Sequence, residues 1–172
     1  MKKDFILPIV VLTVICIVGA GALAIMNNIT SPIIEAAAAV RAYAVMAEMI
    51  PHATGFVPIE NDEFPRNIEA AYKTENNVGF IFIVSVNGFS GEIRVMCGVD
   101  NDGRIISSTA LSHTETQGIG TILDELLFTA QFDGEDMRLE GVSAVTGATI
   151  STQAYINAIK YALTAAEFVV GG

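Results

Sequence analysis

Hydrophobic positions run without a break at one end of the chain and recur with a period elsewhere. From Phe5 to Met26, FILPIVVLTVICIVGAGALAIM holds 22 residues and no charge. At about 1.5 Å per residue, a helix of that length crosses a hydrocarbon layer of roughly 30 Å. Lys2 and Lys3 followed by Ala22-Leu23-Ala24 also fit a cleavable leader, yet the apolar run exceeds the roughly 7 to 15 residues that leaders use. An uncleaved anchor over residues 1–29 is the expectation. Positive flanks stay on the cytoplasmic side, so the rest of the chain is expected outside the cytoplasmic membrane, crossing it once.

Beyond the span the pattern changes. Thr30 or Ser31 before Pro32 reads as a helix start, and IIEAAAAVRAYAVMAEMI continues to Pro51. A stalk helix over about 30–50 is expected, with Val40, Ala44, Met46 and Ile50 as its candidate buried side. Residues 78–86, 92–99 and 104–111 are rich in β-branched and aromatic side chains, and the segments NGFSG and DNDG between them favour turns. These predict an antiparallel meander, with Asn67–Thr74 as an edge strand. ILDELLFTAQF predicts a short helix and MRLEGVSAV a last strand. In STQAYINAIKYALTAAEFVV, the residues Tyr155, Ala158, Ile159, Ala162, Ala165, Ala166 and Val169 recur at helical spacing and should face the sheet. The fold class is α+β: one transmembrane helix followed by a single antiparallel-sheet domain over residues 30–172, packed with helices.

Charge narrows the partners. Past the span there are seven basic and eighteen acidic side chains, so a nucleic-acid backbone finds too little positive charge to bind. Membrane lipid is an expected partner. Cys16 lies in the span and Cys97 in a predicted strand, so neither a disulfide nor a metal cluster is expected.

Candidate chemistry is confined to two segments. AVTGATIST (144–152) places small residues and hydroxyls between an expected strand and an expected helix. Thr149 has neither a free amino terminus nor a nucleophile elbow, which disfavours hydrolysis using His113 and Glu115. A phosphate suits the segment better. Gly147 permits close backbone approach, the helix start offers free N–H groups, and Thr146, Ser151 and Thr152 can add hydrogen bonds. SHTETQGIGT (112–121) adds a His, a carboxylate and two glycines in a loop able to lie over a planar ligand. Ordinary capping and an exposed loop pair would account for either segment alone.

Taken together with NGFSGEI and GVDNDGRI, these segments resemble the covalent FMN-binding domain family. Its members include the G subunit of the Rnf ion-translocating electron-transport complex and the C subunit of the sodium-pumping NADH:quinone reductase. The N-terminal anchor and ITSPIIEAAAAVRAYAVMAEMIP favour the former. The resemblance implies FMN joined by a phosphoester to Thr149, the last residue of the motif Thr146-Gly147-Ala148-Thr149, and installed by a flavin transferase. It also implies a loop beside the flavin formed by His113, Glu115, Thr116, Gly118 and Gly120. No catalytic residue of the chain's own follows from it. Where relatives commonly have Pro and Leu this chain has Gln117 and Ile119, and Ser143 stands where they usually have Asp. The implied function is electron carriage among the subunits of a membrane-bound ferredoxin:NAD oxidoreductase, a translocase coupled to Na⁺ or H⁺ movement. A freestanding anchored flavodomain and a non-redox binding domain are the alternatives.

Overall fold

The computed structural model describes residues 2–116, 118 and 120–170, with Gln117 and Ile119 outside them. The chain divides into two compact units, Met1–Ala44 and Val45–Gly172. The first is helical. Helix α1 (Lys2–Met49) continues through Pro8 and Pro32, so the expected second helix start at Thr30 to Pro32 is corrected. Proline lacks only one ladder donor, and the strong helix formers after it carry the helix onward. Between Ile9 and Ile29 its large apolar side chains are exposed. Among the described residues this is the one helix long and apolar enough to cross a membrane.

The second unit is built on a five-stranded antiparallel meander in the order β1-β2-β3-β4-β5. The strands are β1 (Phe56–Ile59), β2 (Ile68–Thr74), β3 (Gly79–Asn87), β4 (Glu92–Asp100) and β5 (Ile105–His113). β2 is therefore an inner strand, because Phe56 to Ile59 pair outside it with Thr74 to Ala71. β3 and β4 pair in unbroken register from Gly79 with Asp100 to Asn87 with Glu92. That register fixes where the turn 88–91 projects.

Alternation places Phe80, Phe82, Val84 and Val86 of β3 with Ile93, Val95, Cys97 and Val99 of β4 on one core face. Helix α2 (Thr149–Val170) closes this face. Tyr155, Ala158, Ile159, Ala162, Ala165 and Ala166 are buried as the spacing predicts, and Val169 is half-buried. Tyr155 donates its hydroxyl to Ser108 Oγ at 3.1 Å and packs its ring against Phe128 and Phe132, each 5.3 Å away between centroids. On the other face Met49 packs against Gly98, where a Cβ would meet its sulfur. Met46 and Ile50 are buried as expected, whereas Val40 and Ala44 are exposed. Burial pushes the Cys97 thiol up to about 12, which leaves it protonated and unreactive.

Two further expectations are corrected. The expected helix after the loop is three short turns, Gly120–Asp124, Leu126–Thr129 and Ala130–Phe132, whose buried Leu123, Phe128 and Phe132 serve the core. Residues 137–145 form no strand. Positive φ at Leu139 (49°) and Gly141 (93°) breaks any extended run, and the sheet edge at Ile105 bonds instead with Gly134 and Glu135. Ile159 is fully buried beneath the sheet. Ile159→Ala is expected to cost about 2–5 kcal/mol, seen as a lower urea midpoint for the full chain in detergent; a loss under about 1 kcal/mol would show that α2 is not the main closure.

Candidate functional site

Three segments converge at the end of the β3–β4 hairpin. The hairpin turn supplies Gly88, Phe89, Ser90 and Gly91, and the loop leaving β5 supplies Glu115 and Thr116. The third segment is the first turn of α2. Glu115 is buried (9% exposed). Its Oε1 accepts the Ser90 N–H at 3.1 Å and its Oε2 accepts the Ser151 hydroxyl at 2.6 Å. Thr116 Oγ1 lies 3.2 Å from Ser90 Oγ. A Cβ at Gly88 would overlap the Glu115 carboxylate, and one at Gly120 would overlap its Cβ. Both glycines are therefore required by close approach. Burial alone would raise the Glu115 pKa. Hydrogen bonds from Ser151 and from the Ser90 and Phe89 amides, with His113 nearby, outweigh it and hold the carboxyl below its ordinary value.

The motif loop is tied from inside. The Thr152 hydroxyl is fully buried, accepts the Val145 N–H at 3.1 Å and donates to the Ala148 carbonyl at 2.9 Å. Gly147 adopts φ +92°, a conformation a side chain would strain. Helix α2 begins at Thr149, two residues before the expected start. The Thr152 N–H bonds the Ala148 carbonyl at 2.9 Å, so the amides of Thr149, Ile150 and Ser151 precede the helical ladder. The Thr149 side chain is exposed, with one long hydroxyl contact to the Val145 carbonyl at 3.4 Å.

Glu115, Thr116, Gly147, Ala148, Thr149 and Ser151 line one cavity of about 310 Å³, flanked by Phe89 and Ile150. Phe89 is 68% exposed and Ile150 is 58% exposed. A second cavity, about 500 Å³, shares Thr149 and Ile150 and is lined by Asn67, Asn87, Gln153 and Asn157. The hollow beside Asp136 and Arg138 lacks all of these residues. Apolar flanks, hydrogen-bonding groups and helix-end amides fit a planar ring carrying a phosphate.

The remaining candidates sit around the cavity and do not line it. Thr146 is exposed beside Gly147, and Gly118 takes φ +87° in the loop after Thr116. Gly120 backs Glu115. His113 turns elsewhere: its Nε2 lies 3.0 Å from Asp124 Oδ2, and its buried Nδ1 has no hydrogen-bond partner among the described residues. Ser143 is exposed, its amide bonded to Gln131 Oε1 at 3.1 Å. Gln117 and Ile119 lie outside the described residues. Phe89 went unnoticed as a site residue, although an aromatic in a Gly-Phe-Ser-Gly turn was a readable signal.

Residues 88–164 match the FMN-binding domain family. That interval opens at the glycine packed on Glu115 and includes every residue that lines the cavity. Relatives extend beyond the matched interval. The chain is 29% identical to the G subunit of an ion-translocating oxidoreductase complex from Methanosarcina acetivorans, over 94% of each chain. It is 24% identical to the G subunit of the proton-translocating ferredoxin:NAD⁺ oxidoreductase complex of Clostridium ljungdahlii, over 94% of this chain and 91% of the relative. Identity is 26% to the corresponding subunit of the Na⁺-translocating complex of Acetobacterium woodii, over 89% and 87%.

The matched domain should show its carboxylate in its pH response. The folded pKa of Glu115 lies below the unfolded value of about 4.3. Its stabilisation is therefore present above about pH 5 and lost as pH falls through the folded value. Glu115→Gln should lower the unfolding free energy at pH 7 by about 1–3 kcal/mol, and that difference should shrink by pH 3. An undiminished difference at pH 3 would assign Glu115 a packing role.

Proposed function

We propose that this chain is the FMN-bearing electron-carrier subunit of a membrane-bound, ion-translocating ferredoxin:NAD⁺ oxidoreductase. The observation that carries the reading is the exposed Thr149 hydroxyl on the wall of the cavity, at the start of α2. Its neighbours Ser151 and Thr152 are already committed to Glu115 and to the loop. Thr149 alone of the three is presented outward, and we assign it the phosphoester to FMN. Relatives named as G subunits of such complexes cover nearly the whole chain.

Each part of the cavity has a task. Amides at the start of α2 and the positive end of its dipole favour the phosphate, and Gly147 lets the backbone approach it. Phe89 and Ile150 offer apolar surface to the ring, and Thr116 offers a hydroxyl. Bound FMN supplies one-electron and two-electron chemistry, while the protein sets its position and electrostatic surroundings. A covalent link suits a domain facing outward, where a dissociable cofactor would be lost to dilution. The span holds no charged side chain between Phe5 and Met26 and so offers no ion path of its own. Ion movement belongs to partner subunits, and lipid is the partner of residues 1–29. Residues 30–172 form the domain on the extracytoplasmic face, and a flavin transferase is the partner during maturation.

The intact mass of the native protein, with peptide mapping over residues 141–160, tests the assignment. A gain equal to FMN less one water is expected on Thr149. Thr149→Ala should abolish it with little loss of stability, because the hydroxyl makes only the 3.4 Å contact. An unmodified Thr149 in cells with an active transferase would defeat the covalent reading and point to Ser143. Purification of the native membrane complex should bring other redox subunits with this chain; isolation alone would favour a freestanding carrier.

A further inference from the structure

Resting on the flavin reading, we infer that Glu115 makes this cavity a seat for esterified FMN and a poor one for free FMN. A phosphate site usually gathers Lys or Arg. Here the lining is Phe89, Glu115, Thr116 and residues 147–151, with no basic side chain among the described residues. The one formal charge on the wall is a carboxylate, buried and bonded to Ser151 in the turn that presents Thr149.

Charge decides what such a wall accepts. The start of α2 supplies roughly half a positive charge. Glu115 already sets a full negative charge against it. Free FMN brings a phosphomonoester of about −1.5 to −2 at pH 7. Joined to Thr149, the same phosphate is a diester with a single negative charge, and the bond holds it whatever the residual repulsion. Burial leaves Glu115 poorly screened by salt. Its geometry also prevents retreat, since Gly88 and Gly120 pack against it on two sides.

The consequence is an inverted preference between two free flavins. Riboflavin shares the ring and ribityl chain of FMN but lacks the phosphate. Most phosphate-binding sites favour FMN; this one should bind riboflavin at least as tightly. Neutralising Glu115 should then restore the ordinary order.

The test uses the full chain in detergent, carrying Thr149→Ala so that no covalent flavin forms, with binding followed by quenching of flavin fluorescence. Riboflavin is expected to bind as tightly as FMN or more tightly at pH 7.5. Adding Glu115→Gln should shift the ratio of the two affinities about tenfold toward FMN, a ratio in which any general loosening of the cavity cancels; far-UV circular dichroism reports whether the double variant is folded. If the double variant fails to fold, the order of the two flavins in Thr149→Ala decides alone. FMN binding tenfold tighter than riboflavin in that variant overturns the inference and leaves the flavin reading standing. Failure of riboflavin to bind, while the parent chain carries flavin on Thr149, also overturns it, because charge would not then be what limits the free cofactor. A parent chain without flavin by mass, and a variant that binds neither compound, would remove the flavin reading and this inference with it.

Discussion

Helix α2 lies against strands β3 and β4 on a face rich in alanine, with Tyr155, Ile156, Ile159 and Leu163 as its large buried side chains. Small residues let the helix approach closely, and burial of apolar area on both partners makes that approach favourable. Everything at the site depends on this contact. It sets the height of the first turn of α2 above the β3–β4 hairpin, and so the distance at which Ser151 meets Glu115. The phenol of Tyr155, bonded to Ser108 of β5, fixes the same helix near the site.

Glu115 turns that packing into a defined cavity. A buried carboxylate without donors would be costly, so the three donors from two other segments are a requirement of its burial. By meeting the requirement, the hairpin turn, the post-β5 loop and the helix start are held together through hydrogen bonds to one buried group. The hydroxyls of the motif take unequal shares. Thr152 stabilises the loop from within and Ser151 stabilises Glu115, while Thr149 makes a single weak contact.

Much of this was legible in the residues. The meander followed from β-branched runs broken by NGFSG and DNDG, and the inward stripe of α2 from its period, because both are local patterns with one dominant solution. The failures were also physical. MRLEGVSAV has strand composition, but Leu139 and Gly141 take positive φ, a choice made by tertiary packing. The helix-start signal at Thr30 to Pro32 was outweighed by helix formers on both sides, which make one continuous helix. At the site, residue types marked the two loops, yet no pattern in the chain could tell that His113 would turn to Asp124 while Glu115 turned to Ser151. Alternation near the end of β5 is disturbed by irregular pairing at Arg94 and Val95, and the direction of each side chain there is a property of the folded sheet.

Topology gives the site a place in time. Each strand of the meander pairs with the one made just before it, so the sheet can assemble in the order of synthesis. Among the described elements α2 emerges last, and it contributes Thr149, Ile150 and Ser151 to the cavity wall. The hydroxyl becomes part of the cavity wall only after that helix has docked. Anything that recognises the assembled cavity therefore reads the docking of α2, and a half-folded copy does not present that wall.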